Sequence, residues 1–207
     1  GVLVANDSDA NYLYRNEGGG KFKEVGLLAG CALSADGAAQ ASMGIATGPF
    51  LSRGHFDLFV TNFAEDTCTL YHNLGQGLFE DVSAKVGLPK LTYIPMSWGS
   101  AMADLDLDGD LDLVIMNGHI YPQVDAHRQH GQTFAQRNLL LENTGGVLRD
   151  ATLEAGPGFE AVRASRGLAV GDYDADGDLD LLQTSLDGPV ELLRNDSTGG
   201  SWLIVAT

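Results

Sequence analysis

Leu140-Leu141-Glu142-Asn143 is followed 52 positions later by Leu192-Leu193-Arg194-Asn195, and the same apolar pair closed by Asn occurs earlier at Leu13-Tyr14-Arg15-Asn16 and Leu70-Tyr71-His72-Asn73. After three of these a Gly-rich turn leads to another short strand: Gly18-Gly19-Gly20-Lys21-Phe22, Gly75-Gln76-Gly77-Leu78-Phe79 and Gly145-Gly146-Val147-Leu148. The pattern predicts a hairpin, with Asn and Gly supplying the positive φ angles its turn demands.

Working upstream, a Ser-x-Gly-x-Ala pattern recurs at Ser42-Met43-Gly44-Ile45-Ala46, Ser97-Trp98-Gly99-Ser100-Ala101 and Ser165-Arg166-Gly167-Leu168-Ala169. Small residues on one strand imply close packing around a crowded axis. Each is followed by a turn and an apolar strand, at Leu58-Phe59-Val60, Leu111-Asp112-Leu113-Val114-Ile115 and Leu179-Asp180-Leu181-Leu182. Small-residue strand, loop, apolar strand and hairpin make four strands per unit of roughly fifty-five residues, the arithmetic of a β-propeller blade. The expected fold is all-β, a propeller segment of four-stranded antiparallel blades over 1–207, with about three and a half to four blades present. The register divides it into a partial blade at 1–33, blades at 34–90 and 91–156, the latter with an insert at 119–137, and a fourth at 157–207 ending in Trp202-Leu203-Ile204-Val205. Starting in mid-blade suggests a fragment more simply than a closed four-bladed ring.

Two loops between the first and second strands of a blade are strongly acidic: Asp104-Leu105-Asp106-Leu107-Asp108-Gly109-Asp110-Leu111-Asp112 and Asp172-Tyr173-Asp174-Ala175-Asp176-Gly177-Asp178-Leu179-Asp180. Both fit D-x-D-x-D-G-x-x-D. Ca²⁺ takes six to eight oxygens, and carboxylates at loop positions 1, 3, 5 and 9 can wrap one ion, with the position 7 carbonyl adding another oxygen. The expected side-chain ligands are Asp104, Asp106, Asp108 and Asp112 in one site and Asp172, Asp174, Asp176 and Asp180 in the other. Asp110 and Asp178 would contribute through their backbones, and Gly109 and Gly177 permit the sharp turn. An EF-hand would need a bidentate Glu at position 12 and flanking helices, whereas Ile115 and Gln183 stand there between strands. Mg²⁺ suits the loops less well, since it demands octahedral geometry and keeps several waters. The competing reading, solvated Asp-rich turns without metal, must account for two copies at matching positions. In the second unit, Gly48-Pro49-Phe50-Leu51-Ser52-Arg53-Gly54-His55-Phe56-Asp57 keeps only the Gly and the last Asp, and Arg53 can place its own charge where an ion would lie. No calcium is expected there.

These loops and their strand context resemble the FG-GAP/VCBS repeats of integrin α-type β-propellers, and the resemblance covers essentially the whole chain. Asn117-Gly118-His119-Ile120-Tyr121-Pro122-Gln123-Val124-Asp125, the insert up to Arg137, and Asp187-Gly188-Pro189 before Leu192-Leu193-Arg194-Asn195-Asp196 are similar to the bacterial ASPIC/UnbV-containing proteins related to cartilage acidic protein. There a segment like Ser201-Trp202-Leu203-Ile204-Val205 leads into the ASPIC/UnbV domain. The resemblance implies a secreted or surface-exposed, calcium-binding propeller, with extracellular, periplasmic or cell-surface localisation and a role such as adhesion, and it brings no catalytic residues.

Charge agrees with that setting. With 12 Lys+Arg against 28 Asp+Glu the formal charge is −16, which repels nucleic acid and anionic membrane. No apolar stretch approaches the length needed to span a bilayer, so no membrane insertion is expected. The two cysteines, Cys31 and Cys68, are too few for a disulfide framework. His119, Asp125, His127 and His130 in the insert offer transition-metal ligands at no diagnostic spacing, and a polar loop that binds a partner is the alternative. Asn6-Asp7-Ser8 and Asn195-Asp196-Ser197 match the N-glycosylation sequon but coincide with turns. No nucleophile elbow, phosphate loop or zinc-protease motif occurs, and Ser42, Ser97 and Ser165 recur as strand residues. The expected function is non-enzymatic binding of two calcium ions and of a protein, matrix or glycan partner. The alternative is a carbohydrate-binding or enzyme-associated propeller that positions a polysaccharide, for which Trp98 and Trp202 would be platforms if they were not packing residues.

Overall fold

The computed structural model describes residues 1–126, 131–186 and 188–197. Its strands form four successive antiparallel sheets of three or four strands and one small two-stranded sheet. The first holds β1 (Val2–Val4), β2 (Tyr12–Gly18) and β3 (Lys21–Glu24). The second is four-stranded, with β4 (Ser42–Gly48), β5 (Asp57–Asn62), β6 (Thr69–Gly75) and β7 (Leu78–Asp81) in sequential order. The third comprises β8 (Ser97–Ala103) and β9 (Asp112–Asn117), then, after the insert and a short strand β10 (Gln136–Arg137), β11 (Leu139–Asn143) and β12 (Leu148–Asp150). A short strand β13 (Val162–Arg163) pairs with β10 and leads into the fourth sheet, β14 (Ser165–Gly171), β15 (Asp180–Ser185) and β16 (Glu191–Leu193). The described residues form a propeller segment: three strands of one blade, two four-stranded blades, and three strands of a fourth. Trp202-Leu203-Ile204-Val205 lies outside the described residues, as do His127, His130 and Asp187. Three one-turn helices, α1 (Gly26–Ala29), α2 (Ser83–Val86) and α3 (Leu88–Thr92), follow the outer strands of the first and second sheets.

Side-chain alternation along β9 and β5 explains their unbroken apolar runs, Leu113–Met116 and Leu58–Val60. In β9, Leu113 and Ile115 pack against Phe59 and Leu70 of the second blade. Val114 and Met116, on the opposite face, pack with Phe159 and Leu181 toward the fourth. All four are fully buried, because successive side chains point to opposite faces and both faces meet a neighbouring blade. Strand β5 repeats the arrangement, with Phe59 facing one interface and Val60 the other, where it meets Tyr71, Cys31 and Leu13.

The small-residue strands β4, β8 and β14 stand side by side. A Cβ placed on Gly44 would overlap the carbonyl oxygen of Trp98 in the next blade, and one on Gly99 would lie 2.7 Å from the carbonyl oxygen of Arg166. Each of these strands carries a register shift at this point, between Ser42 and Ile45, Ser97 and Ser100, and Ser165 and Leu168. Ser42 and Ser97 donate to Asn62 and Asn117 on the paired strand at 3.0 and 2.8 Å, which fixes them as structural hydroxyls.

One local expectation is overturned. None of the recurrent asparagines at the hairpins has a positive φ; the glycines and Gln76 carry those angles. The Asn side chains accept instead: Asn16 from the N–H of Gly18, Asn73 from that of Gly75, Asn143 from that of Gly146 and Asn195 from that of Ser197, all at 2.7–3.1 Å. A side-chain oxygen that closes the turn is the physical reason for Asn at this position.

Candidate metal centres

The loops joining β8 to β9 and β14 to β15 hold the acidic motifs, and both begin and end at the same register positions. Ala103 pairs with Asp112 and Gly171 with Asp180, leaving eight residues in each loop. Gly109 and Gly177 have φ of +94° and +99°, as position 6 requires. Position 4 is also left-handed, at Leu107 (+60°) and Ala175 (+62°), a conformation that nothing in those side chains announces. The loops therefore double back tightly. Carboxylate oxygens of Asp104, Asp106 and Asp108 come within 4.8 Å of one another, and so do those of Asp172, Asp174 and Asp176.

Those six residues are gathered; the other four expected ligands are placed differently. Asp112 and Asp180 are buried, at 3% and 1% exposure, and each uses both carboxylate oxygens as backbone acceptors. Asp112 takes the N–H groups of Leu105 at 3.3 Å and Asn143 at 3.0 Å. Asp180 takes those of Tyr173 at 2.7 Å and Asn195 at 2.9 Å. A carboxylate oxygen has two lone pairs, so this bracing leaves capacity to face an ion. Asp110 and Asp178 donate their own N–H groups to Asp108 and Asp176, at 2.8 and 3.1 Å.

Bringing like charges together is costly, and the electrostatics record it. Burial, reinforced by the charges of Asp106 and Asp108, pushes the Asp112 carboxyl up to about 6. Asp106 is raised by desolvation and by Asp108, Asp104 and Glu142, and Asp174 by desolvation and by Asp176 and Asp180. A divalent cation relieves this repulsion. The donor set fits a hard cation: it is all oxygen, anionic and clustered, without a thiol or imidazole.

The second blade shows what remains when the acidic residues are gone. Asp57 has no exposed surface, and its oxygens accept from Leu51 N–H at 2.7 Å and Asn73 N–H at 2.8 Å, with His72 Nδ1 also at 2.8 Å. The terminal Asp and its hairpin Asn thus persist, whereas Pro49, Leu51 and Arg53 occupy the ligand positions. The Arg53 guanidinium reaches the neighbouring loop, 3.7 Å from where a Cβ on Gly109 would stand.

Residues 50–115 match the family of FG-GAP-like repeats. The matched stretch runs from the loop that precedes Asp57 in the second blade, through the acidic loop of the third, into that blade's second strand. The chain is also similar to human cartilage acidic protein 1, at 29% identity over 184 residues, 83% of this chain and 25% of the relative. The mouse protein of the same name is 34% identical over 91 residues, 42% of this chain and 14% of the relative. The chain therefore spans a quarter or less of the length of these relatives.

Among the described residues, His119, Asp125, Trp98, Asn6 and Asn195, also singled out in the sequence, have structural partners. His119 is 5% exposed, its ring lies near those of Phe63 and Tyr121, and its Nδ1 accepts the Tyr121 N–H at 3.1 Å. Burial, aided by nearby Arg166, lowers its basicity. Asp125 accepts from Phe134 N–H at 3.1 Å. Among the described residues, neither joins a group of three potential metal ligands. Trp98 is a packing residue: its indole N–H donates to Gly118 O at 2.7 Å and its ring lies beneath the Arg166 guanidinium, 4.2 Å away. The amide nitrogen of Asn6 donates to Ala10 O within a turn, at 2.6 Å, and that of Asn195 to Leu105 O in the preceding blade, at 2.8 Å, while the Asn195 side-chain oxygen closes its own turn on Ser197. No helix among the described residues is long and apolar enough to cross a membrane.

Proposed function

We propose that this chain is a non-enzymatic, calcium-binding β-propeller module that acts outside the cell or at its surface and presents its loops to a protein or matrix partner. The observation that carries the reading is the repetition of one oxygen-rich carboxylate triad, Asp104-Asp106-Asp108 and Asp172-Asp174-Asp176, at the same register position of adjacent blades. Asp112 and Asp180 would complete the two sites, with the carbonyls of Asp110 and Asp178. The ion would supply positive charge that neutralises a crowded turn, a structural task with no bond made or broken.

Similarity to cartilage acidic protein 1 supports an extracellular or surface setting, and the net charge of −16 makes nucleic acid a poor partner. The partner surface we favour is the 119–137 insert. It leaves β9 at the end opposite the acidic loops and carries Tyr121 at 57% exposure.

Calorimetric titration of the metal-stripped chain with Ca²⁺ tests the metal assignment. Two sites are expected, one lost with Asp106→Ala and the other with Asp174→Ala. Zero sites, or a third that depends on Asp57, would overturn it.

A further inference from the structure

Asn195 touches both acidic loops. Its backbone N–H donates to Asp180, the closing residue of the fourth-blade loop, at 2.9 Å. Its side-chain amide crosses the blade interface and donates to the carbonyl oxygen of Leu105 in the third-blade loop, at 2.8 Å. Leu105 lies between Asp104 and Asp106, and its N–H is held by Asp112. The other oxygen of Asp180 holds the N–H of Tyr173, which lies between Asp172 and Asp174. An unbroken chain of hydrogen bonds thus joins the peptide between the first two carboxylates of one loop to its counterpart in the next.

The preceding pair of blades has a weaker version of the same link. Asn143 donates its backbone N–H to Asp112 at 3.0 Å and its side-chain amide to Phe50 O, in the metal-poor loop, at 3.4 Å. Asn73, by contrast, turns its amide to Phe56 O at the end of its own blade's loop. Only Asn195 lies between two loops that carry the full acidic motif.

We infer that Asn195 couples calcium occupancy of the two loops, so that filling one pre-orders the other. The inference rests on the calcium reading above. An ion drawn in by Asp104 and Asp106 fixes the Leu105 peptide, and the Asn195 amide passes that constraint to Asp180 and hence to the fourth-blade loop. Linkage makes the effect reciprocal.

The test is a cycle of calcium titrations on the whole chain. Disabling the fourth-blade loop with Asp174→Ala is expected to weaken binding at the third-blade loop about fivefold or more, the lower end of ordinary coupling. In an Asn195→Ala background the same change is expected to alter that affinity less than twofold. Asn195→Asp, which keeps the acceptor for Ser197 but loses the donor to Leu105, gives the same result by a second route should Asn195→Ala fold poorly. Two sites that fill independently in the unmodified chain, or coupling that survives both Asn195 variants, would overturn the inference while leaving calcium binding intact. Absence of any calcium binding would overturn both.

Discussion

His72 Nδ1 lies 2.8 Å from Oδ1 of Asp57, a carboxylate with no exposed surface whose two oxygens also hold the N–H groups of Leu51 and Asn73. In the acidic blades the residue at the His72 position is Glu142 or Arg194, and the corresponding Asp is braced by backbone alone. The second blade therefore closes its loop with its own side chains. Asp57→Ala leaves two N–H groups without their acceptor, and an unsatisfied buried group costs about 1–3 kcal/mol. A loss of about 2–6 kcal/mol is expected by urea unfolding, equal in calcium and in chelator; a loss confined to calcium-containing buffer would refute it.

The acidic loops predict a pH dependence that calcium inverts. Burial and the neighbouring Asp106 and Asp108 charges push the folded Asp112 carboxyl up to about 6, above the usual carboxylate range. The metal-free fold therefore binds that proton more tightly than the unfolded chain does. Its stabilising contribution is complete below about 4 and is lost as pH rises through about 6, on the order of 3 kcal/mol at 1.36 kcal/mol per pH unit. Thermal melts in chelator should show greater stability from this source at pH 5 than at pH 7. Apparent calcium affinity should rise over the same interval, since ion and proton compete for the carboxylates. Calcium affinity that is flat from pH 5 to 7 would contradict the assignment.

Cys31 and Cys68 are free and fully buried, and burial raises both thiols, Cys31 to about 11. The thiolate is the reactive form, so little of it exists at pH 8. Iodoacetamide followed by intact-mass measurement should find no modification of the native chain and two adducts in denaturant. An adduct on the native chain would show that the core cluster around Cys31 or the one around Cys68 opens.

Gly44→Ala tests the close approach of the inner strands, because the added methyl meets the Trp98 carbonyl, a backbone atom that cannot swing aside. The cost should reach or exceed about 3 kcal/mol, the upper end of overpacking effects. Gly19→Ala, at a hairpin where a Cβ meets nothing within 4 Å, should cost only the strain of its φ of +57°. Urea midpoints that rank the two the other way would deny the tight axis.

Much of this was legible in the sequence because it is repeated locally. The Ser-x-Gly-x-Ala strands foretell the crowding at Gly44 and Gly99, and the glycine at position 6 foretells φ near +95° at Gly109 and Gly177. What stayed hidden depends on partners far along the chain. The Asn195 amide finds Leu105 across 90 residues, and Arg53 lies beside Gly109 because two blades are adjacent. Composition likewise suggested positive φ for the hairpin asparagines, since Asn is a turn residue for two different reasons and only geometry separates them. The left-handed Leu107 and Ala175 follow from the path of the loop, with no preference of their own.

The buried Asp that ends each loop, whether Asp57, Asp112 or Asp180, binds the same pair of backbone amides from a loop and a hairpin. It acts as a keystone, set before any ion arrives. A blade without the three forward carboxylates thus keeps its place in the row, because the brace that closes its loop is one buried side chain and two backbone amides.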